Sequence, residues 1–281
     1  MTTRRAEVLS GRTVADAVAE RLTAQVAELA YTPRLVFVRV GEDPASVFYV
    51  RSKQRFAKRV GVDAATLVLP DDVDQATLMR TIAELNLDPN TDAVLVQLPL
   101  PAHLDSGPVL EAIDPAKDVD GFHPINVGRL WSGAPALAPC TPLGLLAILD
   151  HYGLDVHGRH VVIVGRSNLV GKPAAVLFLA RHATVTLAHS RTRDLPAVVR
   201  AGDVVVAAVG RAGLVTGDMV RPGAVVLDVG MTRVDDKIVG DVAEDVWEVA
   251  GHVTPMPGGT GLVTVAMVLQ NTLTAAERRR G

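Results

Sequence analysis

Short runs of Val, Ile and Leu, each closed by turn residues, alternate along this chain with longer amphipathic stretches. A run that is apolar at every position is a strand covered on both faces, the situation of parallel strands joined by helices. The fold class read from this rhythm is α/β. The pattern predicts a helix over 14–29, a strand over 34–40, a helix over 46–60, a strand over 64–69, a helix over 73–85 and a strand over 93–97. From 99 to 142 the alternation gives way to Pro, Gly and Asp, with one short helical segment near 107–113. It then resumes: helix 143–151, strand 160–165, helix 172–180, strand 184–188, a short helix near 195–199 and strand 203–209. A strand over 224–229, a short pairing at 237–239 and a final helix over 264–278 complete the reading.

A length of 281 residues is long for one domain and comfortable for two. The irregular stretch is where a boundary belongs, since long connections inside a compact domain are uncommon. With 48% hydrophobic and 21% charged residues and a net charge of -3, the chain reads as an ordinary globular protein, and the composition argues against disorder and coiled coil. The densest basic cluster is Arg278-Arg279-Arg280 at the tail, so no footprint for a nucleic-acid backbone is present and no nucleic-acid partner is expected. One cysteine, Cys140, allows neither an intrachain disulfide nor a Cys-rich zinc site, which points to a reducing compartment. The basic start Met1-Thr2-Thr3-Arg4-Arg5 is followed by Glu7, Ser10, Arg12 and Asp16 rather than an apolar segment, and no run of about 20 apolar residues occurs. A cytoplasmic protein with no membrane partner is the expectation. His151, His157 and His160 lack metal-ligand spacing with a carboxylate, so no metal is expected. Basic residues are almost all arginine; the lysines are Lys53, Lys58, Lys117, Lys172 and Lys237.

In the second half, the apolar strand His160-Val161-Val162-Ile163-Val164 ends in Gly165 and is followed by Arg166-Ser167-Asn168-Leu169-Val170-Gly171-Lys172. Strand, glycine turn and helix start in that order make a pyrophosphate site, although Ser167 stands where the second glycine of G-x-G-x-x-G would be. After the next strand, an Asp or Glu would bond a ribose 2′-hydroxyl. This chain has His189-Ser190-Arg191-Thr192-Arg193 instead, so NADP is favoured over NAD, with Arg166 a further cation.

The first half carries the candidates for chemistry. Tyr49 and Lys53 lie one helical turn apart on one face, presenting a phenol beside an amine. Gln97 ends an apolar strand before Leu98-Pro99-Leu100-Pro101, at the sheet end where ligands bind in open α/β folds. Lys117-Asp118-Val119-Asp120-Gly121-Phe122-His123-Pro124 sets carboxylates beside a permissive glycine, and Thr254-Pro255-Met256-Pro257-Gly258-Gly259-Thr260-Gly261 forms a flexible turn before the last helix. Each alone is compatible with an ordinary loop.

Taken in order, these motifs resemble one family. Gly41-Glu42-Asp43-Pro44-Ala45-Ser46 leading to Tyr49 and Lys53, the Gln97 strand end, and Lys117 to Pro124 with Asn126-Val127-Gly128-Arg129-Leu130 are similar to the bifunctional methylenetetrahydrofolate dehydrogenase/cyclohydrolases. The likeness continues through Pro139-Cys140-Thr141-Pro142, Gly165-Arg166-Ser167-Asn168, His189-Ser190-Arg191-Thr192, Asp228-Val229-Gly230, Pro257-Gly258-Gly259 and Asn271-Thr272-Leu273, nearly the whole chain.

The resemblance implies NADP-dependent oxidation of 5,10-methylenetetrahydrofolate to the methenyl cation, then hydrolysis to 10-formyltetrahydrofolate. It implies Lys53 as general acid/base, which requires its pKa to fall from about 10.4. Gln97 would orient the amine and water, Tyr49 would pack against the folate ring, and Asp120, ahead of Asp118, would accept hydrogen bonds from the pterin. Pro257, Gly258 and Gly259 would also contact the folate. Gly165, Arg166, Ser167, Ser190, Arg191, Thr192, Met231 and Arg233 would bind NADP. The implied architecture is two α/β domains with a cleft between them: a folate-binding catalytic domain over 1–138 plus 262–281, and a Rossmann-like doubly wound NADP-binding domain over 139–261. A homodimer is implied by the same likeness. Many members read Pro-Gly-Gly-Val-Gly-Pro-Met-Thr where this chain has Pro257-Gly258-Gly259-Thr260-Gly261-Leu262-Val263-Thr264, and Thr232 stands where Asn is common. Losing the proline relaxes the start of the final helix. Two other readings compete: an NADP-dependent dehydrogenase of another small substrate lacking the cyclohydrolase step, and a folate- or nucleotide-binding regulator without catalysis. Retention of Lys53, Tyr49 and Gln97 argues against the regulator.

Overall fold

The computed structural model describes residues 5–235 and 237–280, so the basic start Met1–Arg4 lies outside the described residues. The chain begins with β1 (Glu7–Val8) and α1 (Gly11–Ala27), then runs β2 (Arg34–Val40), α2 (Pro44–Val60), β3 (Asp63–Leu69), α3 (Gln75–Leu87) and β4 (Ala93–Val96). The stretch that follows holds α4 (Ser106–Glu111) and also α5 (Pro124–Trp131), where the sequence pattern showed one helical segment only. Gly128 in the middle of α5 and its length of 8 residues hide it from periodicity. Its local start signals are sound: His123 Nδ1 accepts the Ile125 N–H, and Pro124 occupies the first turn. The rest is α6 (Cys140–His151), β5 (His160–Val164), α7 (Gly171–Ala180), β6 (Thr184–Ala188), α8 (Leu195–Arg200), β7 (Val204–Ala207), β8 (Val225–Asp228), a hairpin of β9 (Thr232–Val234) and β10 (Lys237–Val239), β11 (His252–Val253) and α9 (Thr260–Arg280).

The chain forms two compact units. One comprises Asp16–Cys140 and Val265–Gly281, and is called the Lys53 unit below; the other comprises the start of the chain through Ala15 and Thr141–Thr264, the Gly165 unit. This division differs from the expected one in giving the first 15 residues to the second unit. The reason is β1, which pairs in parallel with β11 through Glu7 opposite His252 and Val8 opposite Val253. Strands of two residues carry no readable period, which is why neither was expected.

In the Lys53 unit the sheet order is β3-β2-β4, all parallel, with Leu35 opposite Ala93 and Val38 opposite Val96. The strand order reverses at β2, so the crevice suited to a ligand opens past the carboxyl ends of β2 and β4. Leu35, Phe37, Leu78, Ile82 and Leu95 are fully buried around this sheet. Helix α2 is defined at both ends: Asp43 accepts the Ser46 N–H at 2.8 Å, and Gly61 takes φ 83° at its close. The end of α9 is tied to this unit by Arg280, whose guanidinium clasps buried Asp92 at 2.7 and 2.9 Å. Part of the basic tail is therefore spent on a carboxylate.

The Gly165 unit has a six-stranded parallel sheet in the order β1-β11-β8-β7-β5-β6. The chain leaves β5 toward β6 on one side and returns to β7 on the other. Helix α9 begins at Thr260 rather than 264, because Thr260 Oγ1 donates to Asp228 O at 2.7 Å and anchors the first turn. Among the described residues no helix is long and apolar enough to cross a membrane.

Candidate functional site

In the Lys53 unit, α2 carries Tyr49 and Lys53 one turn apart, and β4 delivers Gln97 immediately after its last residue. Gln97 is fixed before its side chain is considered, since its N–H donates to Val38 O at 2.9 Å. Its amide nitrogen donates to Leu98 O at 2.6 Å, which turns the amide oxygen toward the helix. Lys53 Nζ donates to that oxygen at 3.1 Å. The ammonium also stands 6.0 Å from the centroid of buried Phe37. Burial pushes the Tyr49 phenol above its ordinary pKa, so it stays a neutral hydroxyl at pH 7. Phe48 packs edge-on against Tyr49 with ring centroids 5.9 Å apart.

Asp120 joins this group from a turn. A parallel bridge pairs Val94 with Asp118, and the Gly121 N–H donates to Asp118 O at 3.2 Å, closing a turn that holds Asp120 near enough for the charge of Lys53 to act on its carboxyl. Burial pushes its carboxyl up to about 6, with Lys53 opposing that rise and Asp118 adding to it. Asp120 accepts no hydrogen bond from another described residue, so its oxygens are unspent acceptors. Asp118 is different: its carboxylate accepts the N–H groups of Gly121 (3.1 Å) and His123 (2.8 Å) and Nδ2 of Asn126 (3.0 Å). It is a structural anchor for the turn that holds Asp120.

Two further residues had no assignment from the motif order. Lys117 is fully buried, and its ammonium donates to the carbonyls of Leu85, Asn86 and Asp88 at 2.7–2.8 Å, closing the end of α3. The scarcity of lysine was the signal that could have found it. Cys140 is buried with its thiol pushed well up by burial, and it donates to Val119 O at 3.1 Å. It is a packed thiol rather than a reactive one.

In the Gly165 unit the loops after β5, β6, β7 and β8 emerge from one end of the sheet. Gly165 follows β5 at the reversal of strand order, with φ 131°. A Cβ there would lie 2.1 Å from Ala208 O, and one on Gly171 would lie 2.2 Å from Gly165 O, so this cradle admits glycine alone. Ser167 Oγ accepts the Val170 N–H at 3.1 Å and shapes the start of α7. After β6, Thr192 Oγ1 accepts the His189 N–H at 2.8 Å and folds the segment into a tight turn. Arg166, Ser190, Arg191 and Arg193 are exposed there, with no carboxylate among residues 189–193. A close-approach glycine cradle plus cations without a competing acid fits a phosphorylated dinucleotide.

Met231 and Arg233 follow β8 and are exposed, with Arg233 in the β9–β10 hairpin. Their loop is set by two buried carboxylates. Asp228, pushed up to about 6 by burial, accepts the N–H groups of Gly230, Asp241 and Val242. Asp241 in turn accepts those of Val209, Gly210 and Arg211. Pro257, Gly258 and Gly259 also lie in this unit, apart from the Lys53 group in the chain's division. Gly258 O accepts the Gly11 N–H at 2.9 Å, and a Cβ on Gly11 would fall 2.0 Å from Gly259 O, so this turn packs backbone to backbone on the start of α1. A cavity of about 740 Å³ is lined by Asp228, Trp247, Thr254 and Met256 but by none of the expected cofactor residues, so volume alone does not mark the site.

Two family models match the chain: tetrahydrofolate dehydrogenase/cyclohydrolase, catalytic domain, over residues 9–120, and tetrahydrofolate dehydrogenase/cyclohydrolase, NAD(P)-binding domain, over residues 139–280. The bifunctional protein FolD of Thermus thermophilus is 55% identical over 275 residues, covering 98% of each chain. Among solved structures, the bifunctional methylenetetrahydrofolate dehydrogenase/cyclohydrolase FolD of Campylobacter jejuni superposes with a TM-score of 0.94 at 40% identity, covering 97% of this chain and 99% of the other. The Trypanosoma brucei methylenetetrahydrofolate dehydrogenase-cyclohydrolase, complexed with NADP cofactor and inhibitor, gives a TM-score of 0.93 at 40% identity over 98% of both chains.

Proposed function

This chain belongs to the tetrahydrofolate dehydrogenase/cyclohydrolase family, and from that membership we propose how its residues divide the work of two reactions. It is a bifunctional one-carbon enzyme that oxidises 5,10-methylenetetrahydrofolate with NADP and hydrolyses the resulting 5,10-methenyltetrahydrofolate to 10-formyltetrahydrofolate. A dehydrogenase of some other small substrate, without the cyclohydrolase step, is not favoured. NADP supplies the hydride acceptor when bound. Arg166 and Ser167 beside the Gly165 cradle would hold its pyrophosphate. Ser190, Arg191 and Thr192 would take the 2′-phosphate, and Met231 with Arg233 would border the nicotinamide end.

The observation that carries the hydrolytic assignment is the 3.1 Å bond from Lys53 Nζ to Gln97 Oε1. The neutral amide orients the Lys53 amine without locking it in an ion pair. In hydrolysis, water adds to the methenyl carbon and gives up one proton, then the hydroxyl gives up its second as the carbon–nitrogen bond breaks; one proton ends on the departing ring nitrogen and the other is released. Lys53 Nζ is the group that moves these protons. Gln97 aligns the amine and the water. Tyr49, neutral and on the same helical face, packs against the folate ring and sets its angle. Asp120 accepts pterin N–H groups with its unspent oxygens. Measuring both half-reactions in one preparation, with NADP and with NAD, tests the whole reading; oxidation without formation of 10-formyltetrahydrofolate would contradict it.

The Asp120 assignment has a pH signature. Its carboxyl, raised to about 6, remains protonated to higher pH than an ordinary aspartate and loses acceptor capacity when protonated. Folate affinity is therefore low below that value and rises above it. The kcat/KM for methylenetetrahydrofolate should show an acid limb near pH 6 that Asp120→Asn removes. Asp228 has a similar value in the other unit, so a limb that persists unchanged in Asp120→Asn would move the assignment there.

We also infer a cytoplasmic homodimer without nucleic-acid or membrane partners. The lone buried thiol and the net charge of -3 support the first and third of these, and family likeness supports the dimer. Light scattering should give twice the chain mass of 29.7 kDa, and a mass of one chain would contradict it.

A further inference from the structure

Asp120 makes no hydrogen bond that aims its own side chain, so the direction of its carboxylate depends on the backbone to either side. On one side, the Val119 carbonyl accepts from Asn271 Nδ2 at 2.7 Å and from the Cys140 thiol at 3.1 Å. Asn271 uses its second N–H on Ala138 O at 2.8 Å, so a single planar amide bridges residues 119 and 138. On the other side, Gly121 at φ 69° lies flat against the same segment: a Cβ there would fall 2.5 Å from Ala138 C and 2.7 Å from Pro139 N. The Gly121 N–H is held in turn by Asp118. Asp120 thus sits between two points fastened to residues 138–139, and one fastening comes from α9, more than a hundred residues away in sequence. Asn271 is itself buried at 4% exposure, so no water replaces its amide cheaply.

We propose that Asn271 is a positioning residue for folate: its side-chain amide locks the Val119 and Ala138 carbonyls together and so presents the Asp120 carboxylate to the pterin in a preformed direction. The proposal rests on the reading of Asp120 as the pterin acceptor. Without the amide, the Val119 carbonyl loses its strongest donor and the 119–120 peptide gains rotational freedom, which the ligand must then remove on binding. The loss belongs to folate binding and not to NADP binding, because the cofactor loops lie in the other unit.

The test is steady-state kinetics of Asn271→Ala, Asp120→Ala and the double variant, with both substrates varied. Asn271→Ala should raise the KM for methylenetetrahydrofolate about tenfold while the KM for NADP moves by less than about twofold. In the Asp120→Ala background the same exchange should change the folate KM by less than about twofold, because the residue it positions is gone. Asn271→Ser, which keeps one donor, should give an intermediate shift and serves if the alanine variant does not fold. A misfolded fraction lowers kcat without splitting the two KM values, so partial unfolding does not imitate the effect. An Asn271→Ala shift that persists in full without Asp120, an equal rise in both KM values, or no shift at all overturns the proposal. If instead Asp120→Ala leaves the folate KM unchanged, the Asp120 reading fails and takes the proposal with it. That pattern is distinct from Asp120→Ala weakening folate while Asn271→Ala does nothing.

Discussion

Replacing Lys53 with glutamine is expected to slow hydrolysis of methenyltetrahydrofolate by about 10²–10⁴-fold, the range a positioned acid/base contributes. Glutamine nearly matches lysine in length and can still donate to Gln97, so packing around Phe37 and the end of β4 should survive. What it cannot do is exchange a proton at neutral pH. The KM for NADP should stay within about twofold of its original value, since the glycine cradle and the cations after β6 belong to a unit that does not contain Lys53. Optical loss of the methenyl compound measures the first effect directly. A variant that hydrolyses within about threefold of the unaltered enzyme would remove Lys53 from the proton path.

Replacing Lys117 with methionine is expected to cost stability rather than chemistry, by about 3 kcal/mol, because three carbonyls at the end of α3 lose the buried ammonium that is their common donor. Methionine fills much the same volume, so the loss isolates the hydrogen bonds from the packing. Burial lowers the pKa of this lysine first, and Arg279 lowers it further, while Asp114, Asp88 and Asp92 oppose both. Arginine is no substitute there, since its planar fork cannot converge on three carbonyls as a tetrahedral ammonium does. Each unit contains one of the two tryptophans, Trp131 in the Lys53 unit and Trp247 in the Gly165 unit. Urea unfolding followed through Trp131 in a Trp247→Phe background therefore reads the affected unit alone. A shift below about 0.5 kcal/mol would show the three carbonyls to be satisfied by other means.

In each sheet, parallel strands such as β4 and β7 were legible because strands buried on two faces are apolar throughout. Two kinds of element escaped. Strands β1 and β11 have two residues each and exist through pairing alone, and α5 carries a glycine that suppresses its helical signal. The start of α9 was misplaced for a third reason: Thr260 is fixed by a contact with Asp228, 32 residues earlier, which no local pattern contains. The same limit applies to the site. Tyr49 and Lys53 follow from helical spacing, but the partnership of Lys53 with Gln97 spans 44 residues and was approached only through the order of motifs. Lysine is scarce among so many arginines, and at Lys117 the structure supplies a reason for keeping one: three carbonyls that converge on its ammonium. The role of Asn271 had no trace in the sequence beyond membership in a motif, because its partners lie 152 and 133 residues away.

The most direct test of Lys53 as the proton carrier is hydrolysis of preformed methenyltetrahydrofolate by Lys53→Arg, assayed beside Lys53→Gln without NADP. Arginine retains the positive charge and the donor to Gln97 but, with a pKa above about 12, does not release its proton in the working range. If Lys53 moves protons, Lys53→Arg is as deficient as Lys53→Gln. If Lys53→Arg instead hydrolyses at close to the original rate, the residue acts through its charge alone, and the acid/base assignment is wrong.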